Sequence, residues 1–197
     1  NNSVARLAIF KHYNIQEDIV HASAAGQKFE AKRDTFKTRY SSKYFGPQKG
    51  VSAMSLIANH AAINARVIGA NEHESHYIFD LLFNNTSEVK PGALSTDTHG
   101  VNHVNFALLD LFGYSFAPRY AQVGRVINEM FGVSEDEAGK IELSLRTTIN
   151  TKCIARHWDK IQRIVVSLKE RKTTQALLVR KLSTYKKNHP LLEALTE

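Results

Sequence analysis

VSAMSLIANHAAINARVIGA, residues 51–70, is the stretch from which the rest of the chain is read. Val51–Asn59 and Ala62–Ala70 are two β-like runs, separated by a short polar break at Asn59-His60. Runs of this length, so closely spaced, predict a β-hairpin, although Asn-His is a weak turn signal. Upstream, DIVHASA (residues 18–24) runs toward Gly26 and predicts a strand that ends in a turn. Residues 1–14 have apolar positions near helical spacing. Downstream the period changes. Tyr77, Ile78, Leu81 and Leu82 are spaced for an amphipathic helix over 72–84. Pro91-Gly92 breaks the chain, and Ala93–Thr96 predicts a short buried strand ending at Asp97. Val104, Leu108, Leu111 and Phe112 mark a second helix, with Gly113 as its C-terminal cap. Tyr114–Tyr120 predicts a last short strand. Residues 18–120 thus read β, β, β, α, β, α, β, an α/β domain with a mixed sheet flanked by helices.

Residues 121–197 carry a different pattern. Ile154, Trp158, Ile161, Val165 and Leu168 form a helical stripe expected to be core, with Trp158 in it. Leu177, Leu178 and Leu182 continue it on a second helix, and Ser134–Glu137 resembles a capping box opening another. An all-helical segment is expected here. Cys153, the one cysteine, is expected to be a small core residue.

The chain has 197 residues, 43% of them hydrophobic and 23% charged, enough to build a sizeable core. A single cysteine excludes an intrachain disulfide framework. No apolar run reaches the ~18 residues of a membrane-spanning helix. The chain starts without a signal peptide and without Met, and is expected to be part of a longer protein of cytoplasmic location. The net charge of +7 is unevenly placed. Residues 1–150 hold 15 basic and 15 acidic side chains, whereas residues 151–197 hold 11 and 4, which is the whole surplus. Such asymmetry points to an anionic partner or to a solvated basic helix face.

Ser95-Thr-Asp-Thr-His-Gly100 puts a carboxylate, Asp97, at the C-terminal end of a candidate central strand, where α/β sheets bind ligands. A hard oxygen donor there suits Mg²⁺ with phosphate substrates, and equally an Asp there caps the next helix. Glu72, His73, Glu74, His76, His99 and His103 cluster in sequence. His73-Glu-Ser-His76 falls one residue short of the zinc-protease pattern, and no third ligand is evident, which favours surface or capping histidines. There is no serine-hydrolase elbow, no dinucleotide glycine fingerprint and no phosphate-binding loop of the nucleotide hydrolases. Residues 28–49 interleave Lys28, Lys32, Arg33, Lys37, Arg39, Lys43 and Lys49 with Phe29, Phe36, Tyr40, Tyr44 and Phe45. That mixture suits phosphates and stacked bases, or else a solvated hairpin.

Six stretches, in order along nearly the whole chain, resemble one family. They are HASAAGQKF (21–29), KYFG (43–46), INARVIGANEHESHY (63–77), STDTHG (95–100), FGYSFAPR (112–119) and RKLS (180–183). Together they are similar to the catalytic region of the Tn-three family of replicative transposases. The resemblance implies a ribonuclease-H-like core over 1–120 that lacks its final Glu-bearing helix, followed by a helical insertion over 121–197. It also implies an Asp, Asp, Glu triad whose second Asp is Asp97, a ligand for Mg²⁺ or Mn²⁺. The family pattern has Asp where this chain has Ala25, and no Glu here lies in the context of the third acid.

The implied activity is metal-dependent DNA cleavage and strand transfer at transposon ends, acting on terminal inverted repeats and target DNA. The full-length protein would act as a homodimer, in a bacterial cytoplasm and associated with the nucleoid. Ala25 implies that the chain is inactive as it stands. Lys28, Lys32, Arg33, Lys37, Arg39 and Lys43 are the candidate DNA contacts. The alternative is a DNA-binding or assembly module without catalysis, and a metal-dependent hydrolase of small substrates is a third expectation.

Overall fold

The computed structural model describes residues 2–14, 19–127, 131–132, 147–185 and 189–197. The chain divides into two compact units, Asn1–Arg119 and Tyr120–Glu197. The first unit is a mixed α/β layer. Its sheet is built from β1 (His21–Glu30), β2 (Arg39–Tyr40), β3 (Lys49–Ala58), β4 (Ala61–Gly69), β5 (Ala93–Thr96) and β6 (Ser115–Phe116). The order across the sheet is β4-β3-β1-β5-β6, with β2 paired to the start of β3. The β4, β3 and β1 strands are antiparallel, and β1, β5 and β6 run parallel.

The expected hairpin is present as β3–β4. Asn59 (φ 45°) and His60 (φ 65°) both occupy the left-handed region, as a tight two-residue hairpin turn requires. His in the second place is not a turn former by propensity, and tertiary contacts hold it. Its ring packs edge-on against Tyr13 at 4.7 Å, and Asn59 Nδ2 donates to Phe10 O and Asn14 Oδ1, each at 2.7 Å. These bonds tie the hairpin to the helix Ala8–His12.

β3 and β5, and β1 as far as Ala25, alternate as period two demands. Ala22, Ala24, Met54, Leu56, Ala58 and Leu94 are buried, while Ser23, Ala25 and Asp97 on the opposite face are exposed. The buried face is covered by α4 (Ile78–Phe83) and α5 (His103–Leu111), numbered after three short helices at Asn2–Ala5, Ala8–His12 and Ser42–Phe45. Phe79, Phe83 and Phe112 pack as a triad of rings, with centroids 4.7–5.2 Å apart. Beyond α5, Gly113 takes φ 78°. Tyr114 N donates to Leu109 O and Gly113 N to Asp110 O, both at 2.8 Å, so the predicted glycine cap is present.

Three sequence expectations need correction in this unit. The first strand does not end in a turn at Gly26; β1 pairs with β3 continuously from Ala22 to Glu30. An unbroken antiparallel partner outweighs the local preference of one glycine. The helix over 72–84 begins as a 3-10 turn, Glu74–Tyr77, before α4. The last strand is only Ser115–Phe116, although Ala117 N and Arg119 N still donate to Leu94 O and Thr96 O. Pro118 has no N–H and a fixed φ, which ends regular pairing there.

The second unit contains α6 (Val123–Val126), α7 (Thr151–Lys169), α8 (Gln175–Ser183) and α9 (Pro190–Thr196) among its described residues. It is not all-helical, because Phe131–Gly132 pairs in parallel with Thr147–Thr148. The candidate capping box at 134–137 lies outside the described residues. Asn150 caps α7, its side chain accepting from Cys153 N, and Thr174 caps α8, accepting from Leu177 N. The helix α9 packs along α7. The stripe of α7 is buried at Ile161 and Leu168, but Trp158 is 44% exposed and so is not core. Trp158 lies about 60° around the helix from Ile161, on the flank of the stripe. Leu177 is likewise exposed and Cys153 only half-buried. No helix among the described residues is long and apolar enough to cross a membrane.

Candidate active site

The parallel pairing of β1 and β5 runs His21↔Ala93, Ala22↔Leu94, Ser23↔Ser95 and Ala24↔Thr96. The next residues are Ala25, still within β1, and Asp97, whose backbone stays extended (φ −74°, ψ 179°). Paired residues on neighbouring strands present their side chains to one face. Positions 25 and 97 therefore stand abreast on the exposed face, at the C-terminal end of the parallel strands, where α/β sheets hold ligands.

Asp97 also does what the plainer expectation required. Its Oδ1 accepts from His99 N at 3.0 Å and caps the turn Thr98–Gly100. On the same face His21 Nε2 lies 2.6 Å from Ser95 Oγ, which donates to Ala117 O at 2.8 Å. Ser95 is thus committed to fastening β5 to the segment after β6.

A cleft of about 540 Å³ opens beside Asp97, lined among others by Gly26, Lys28, Tyr44, Glu74 and His99. Glu74 organises its floor. Ser52 Oγ donates to Glu74 Oε1 at 2.8 Å, and Lys28 Nζ lies 3.7 Å from the same oxygen. Lys28 also donates to Ala70 O at 3.2 Å and sits 4.7 Å over the Tyr44 ring. The Glu74 carboxylate occupies the space where a Cβ on residue 26 would stand. This close approach gives Gly26 its reason within a strand. Gly26→Ala is expected to push Glu74 aside and leave the buried Ser52 hydroxyl without its acceptor. The expected cost is about 1–2 kcal/mol, measured by urea unfolding. An unchanged midpoint would show that Glu74 is not held there.

The six candidate DNA contacts are not equivalent. Lys28 is turned inward toward Glu74. Lys37 Nζ donates to Val67 O at 3.0 Å, and Arg39 Nη1 donates to Phe36 O and Thr38 O at 2.9 and 2.7 Å. Lys32, Arg33 and Lys43 are exposed, the last 5.1 Å over the Tyr44 ring. Of the histidines, His73 Nδ1 meets Ser75 Oγ at 2.7 Å, and His99 and His103 are exposed. Among the described residues no three His, Cys, Asp or Glu side chains gather to hold a metal ion.

Sequence reasoning did not single out Glu74 as the organiser of the cleft, nor Asn105. Asn105 is fully buried, and its Nδ2 donates to Ser75 O at 3.0 Å and to Gly100 O at 2.7 Å. It fastens the turn that carries Glu74 to the turn that follows Asp97. An Asn on the inner face of an otherwise apolar helix was the available signal.

These features define an α/β domain whose parallel strand ends present one carboxylate beside a polar cleft. The chain belongs to the Tn3 transposase DDE domain family, which it matches over residues 1–197. It is 30% identical over 178 residues, 89% of its length, to the transposase for transposon Tn2501 of Escherichia coli. Identity is also 30% over 178 residues to the transposase for transposon Tn501 of Pseudomonas aeruginosa. The transposase for transposon Tn4556 of Streptomyces fradiae is 28% identical over 176 residues. The chain spans 18% of the length of the first two and 20% of the third. The crystal structure of the Mos1 strand transfer complex aligns with 92% of this chain and 60% of its own, at 13% identity and a TM-score of 0.33. That likeness is too loose to carry the fold. Family membership implies divalent-metal dependence in general.

Proposed function

We propose that this chain is part of the catalytic region of a DNA transposase, that its first unit is a ribonuclease-H-like core, and that it is catalytically silent as it stands. The observation that supports this is the β1–β5 register, which pairs Ala24 with Thr96, the residues immediately before Ala25 and Asp97. A metal site for phosphodiester chemistry needs opposed oxygen ligands, and position 25 offers a methyl group. The residues present do not fit a two-metal centre. Strand order supports the core assignment: three antiparallel strands lead into two parallel ones, with the acid at the parallel strand ends.

The function left to the chain is to hold DNA, the partner implied by its transposase relatives. The exposed Lys32, Arg33 and Lys43 suit phosphate contacts, while Lys28 supports the cleft. The 11 basic residues at 151–197 favour a second contact there. The silent-catalyst reading is tested by Mn²⁺ binding, followed by electron paramagnetic resonance. Ala25→Asp is expected to gain a bound-Mn²⁺ signal that the unaltered chain lacks. Adding Asp97→Ala to that variant should remove it. DNA nicking by the unaltered chain, or no gain with Ala25→Asp, overturns the proposal.

A further inference from the structure

We propose that Phe36 is a wedge that this domain inserts between stacked base pairs of duplex DNA, carried on a pre-braced turn and flanked by cations that take the neighbouring phosphates. The proposal deepens the DNA-holding role above and rests on it.

Phe36 is 83% exposed, and no other exposed large hydrophobic among the described residues is above 61%. A side chain so exposed on a loose loop would mean little. Here the turn beneath it is locked from several directions. Thr38 is buried; its hydroxyl accepts from Thr35 N at 3.0 Å and donates to Thr35 O at 2.9 Å. Thr38 N closes the turn on Thr35 O at 3.2 Å. Arg39 reaches back to the Phe36 carbonyl, and Lys37 anchors to Val67 O on β4. The backbone is therefore fixed in the geometry that projects the ring, which lowers the ordering cost of using it.

The surroundings identify the occupant. Lys37 Nζ lies 5.7 Å from the ring centroid, Arg39 is held at the Phe36 carbonyl, and Lys32 and Arg33 are exposed a few residues upstream. The acid inside the loop, Asp34, is ion-paired with Lys49. A second copy of this chain would bring the same positive charges to the contact and be repelled. A polyanion with flat apolar faces between its charges is attracted at both levels, and duplex DNA is that molecule. Apolar wedges of this kind unstack a base step and kink the helix, most readily at pyrimidine–purine steps.

The test uses the whole chain and a short duplex with 2-aminopurine at its TA steps, whose emission rises on unstacking. Affinity is read by anisotropy across a salt series. The unaltered chain is expected to raise the emission and to bind less tightly as salt increases. Phe36→Ala should abolish the rise and weaken binding roughly 5- to 150-fold. Phe36→Trp should retain both, and all three proteins should share one thermal midpoint, since the side chain is largely solvated. Salt-dependent binding with Phe36→Ala indistinguishable from the unaltered chain overturns the wedge alone. Absent or salt-insensitive binding by the unaltered chain overturns the DNA-holding role and the wedge with it. A fall in sedimentation mass with Phe36→Ala makes the residue a self-association contact and also overturns the wedge.

Discussion

Phe79→Ala is expected to destabilise the Asn1–Arg119 unit by about 3–5 kcal/mol, a large share of the ~5–15 kcal/mol that holds a typical domain folded. Phe79 is 0% exposed, on the helix that covers β3 and β4. Its ring stacks on Phe83 at 5.2 Å and meets the edge of Phe112 at 4.7 Å. Truncation removes the burial of one ring, leaves a cavity between α4 and the sheet, and breaks the stacking within α4 together with one of the two ring contacts that join α4 to Phe112 at the end of α5. Urea unfolding should show a lower midpoint at unchanged slope. Phe83→Ala, at a half-buried site, should cost less. A loss under about 1 kcal/mol at Phe79 would mean the cavity closes by collapse and that the ring triad is not central.

Asn105→Leu is expected to cost about 2–4 kcal/mol although Leu has the same branched skeleton and is apolar. The replacement keeps the branching at Cγ and removes the donor shared by Ser75 O and Gly100 O, two carbonyls that lie against a buried side chain. The cost has a location. Hydrogen exchange should quicken at Ser75–Tyr77 and at His99–Val101 and stay nearly unchanged in the β3–β4 hairpin. Uniform exchange across the unit would show that Asn105 supports global stability and not the joint between the Glu74 turn and the Asp97 turn. Because both turns border the cleft, the same variant should also weaken the Mn²⁺ signal gained with Ala25→Asp.

The elements that could be read from the chain are those whose burial pattern is local. The runs 51–59 and 62–70, the short strand ending at Asp97 and the glycine-capped helix α5 all carry their period in adjacent residues. Gly26 departs from its expected turn for the opposite reason. A glycine in isolation signals a turn, and only pairing with Met54 on β3 and the Glu74 carboxylate above it explain an extended glycine. Trp158 failed similarly: spacing places a residue on a stripe, but the partner helix α9 decides which part of the stripe is covered. Of the candidate site, Asp97 and Ala25 stand out in the chain because they sit in motifs. Glu74, Ser52, Lys28 and Asn105 converge from four different segments, and no linear spacing encodes that meeting.

Family membership, the α/β order of the first unit and the uneven charge follow from the chain itself, since motif, hydrophobic period and residue counts are properties of neighbours in sequence. Tertiary structure alone decided that the strands before Ala25 and Asp97 pair in register, that Lys28 is spent on Glu74, and that Phe36 projects from a locked turn. Each depends on strand register and on hydrogen bonds between residues far apart in the chain, and those exist only once the sheet has formed.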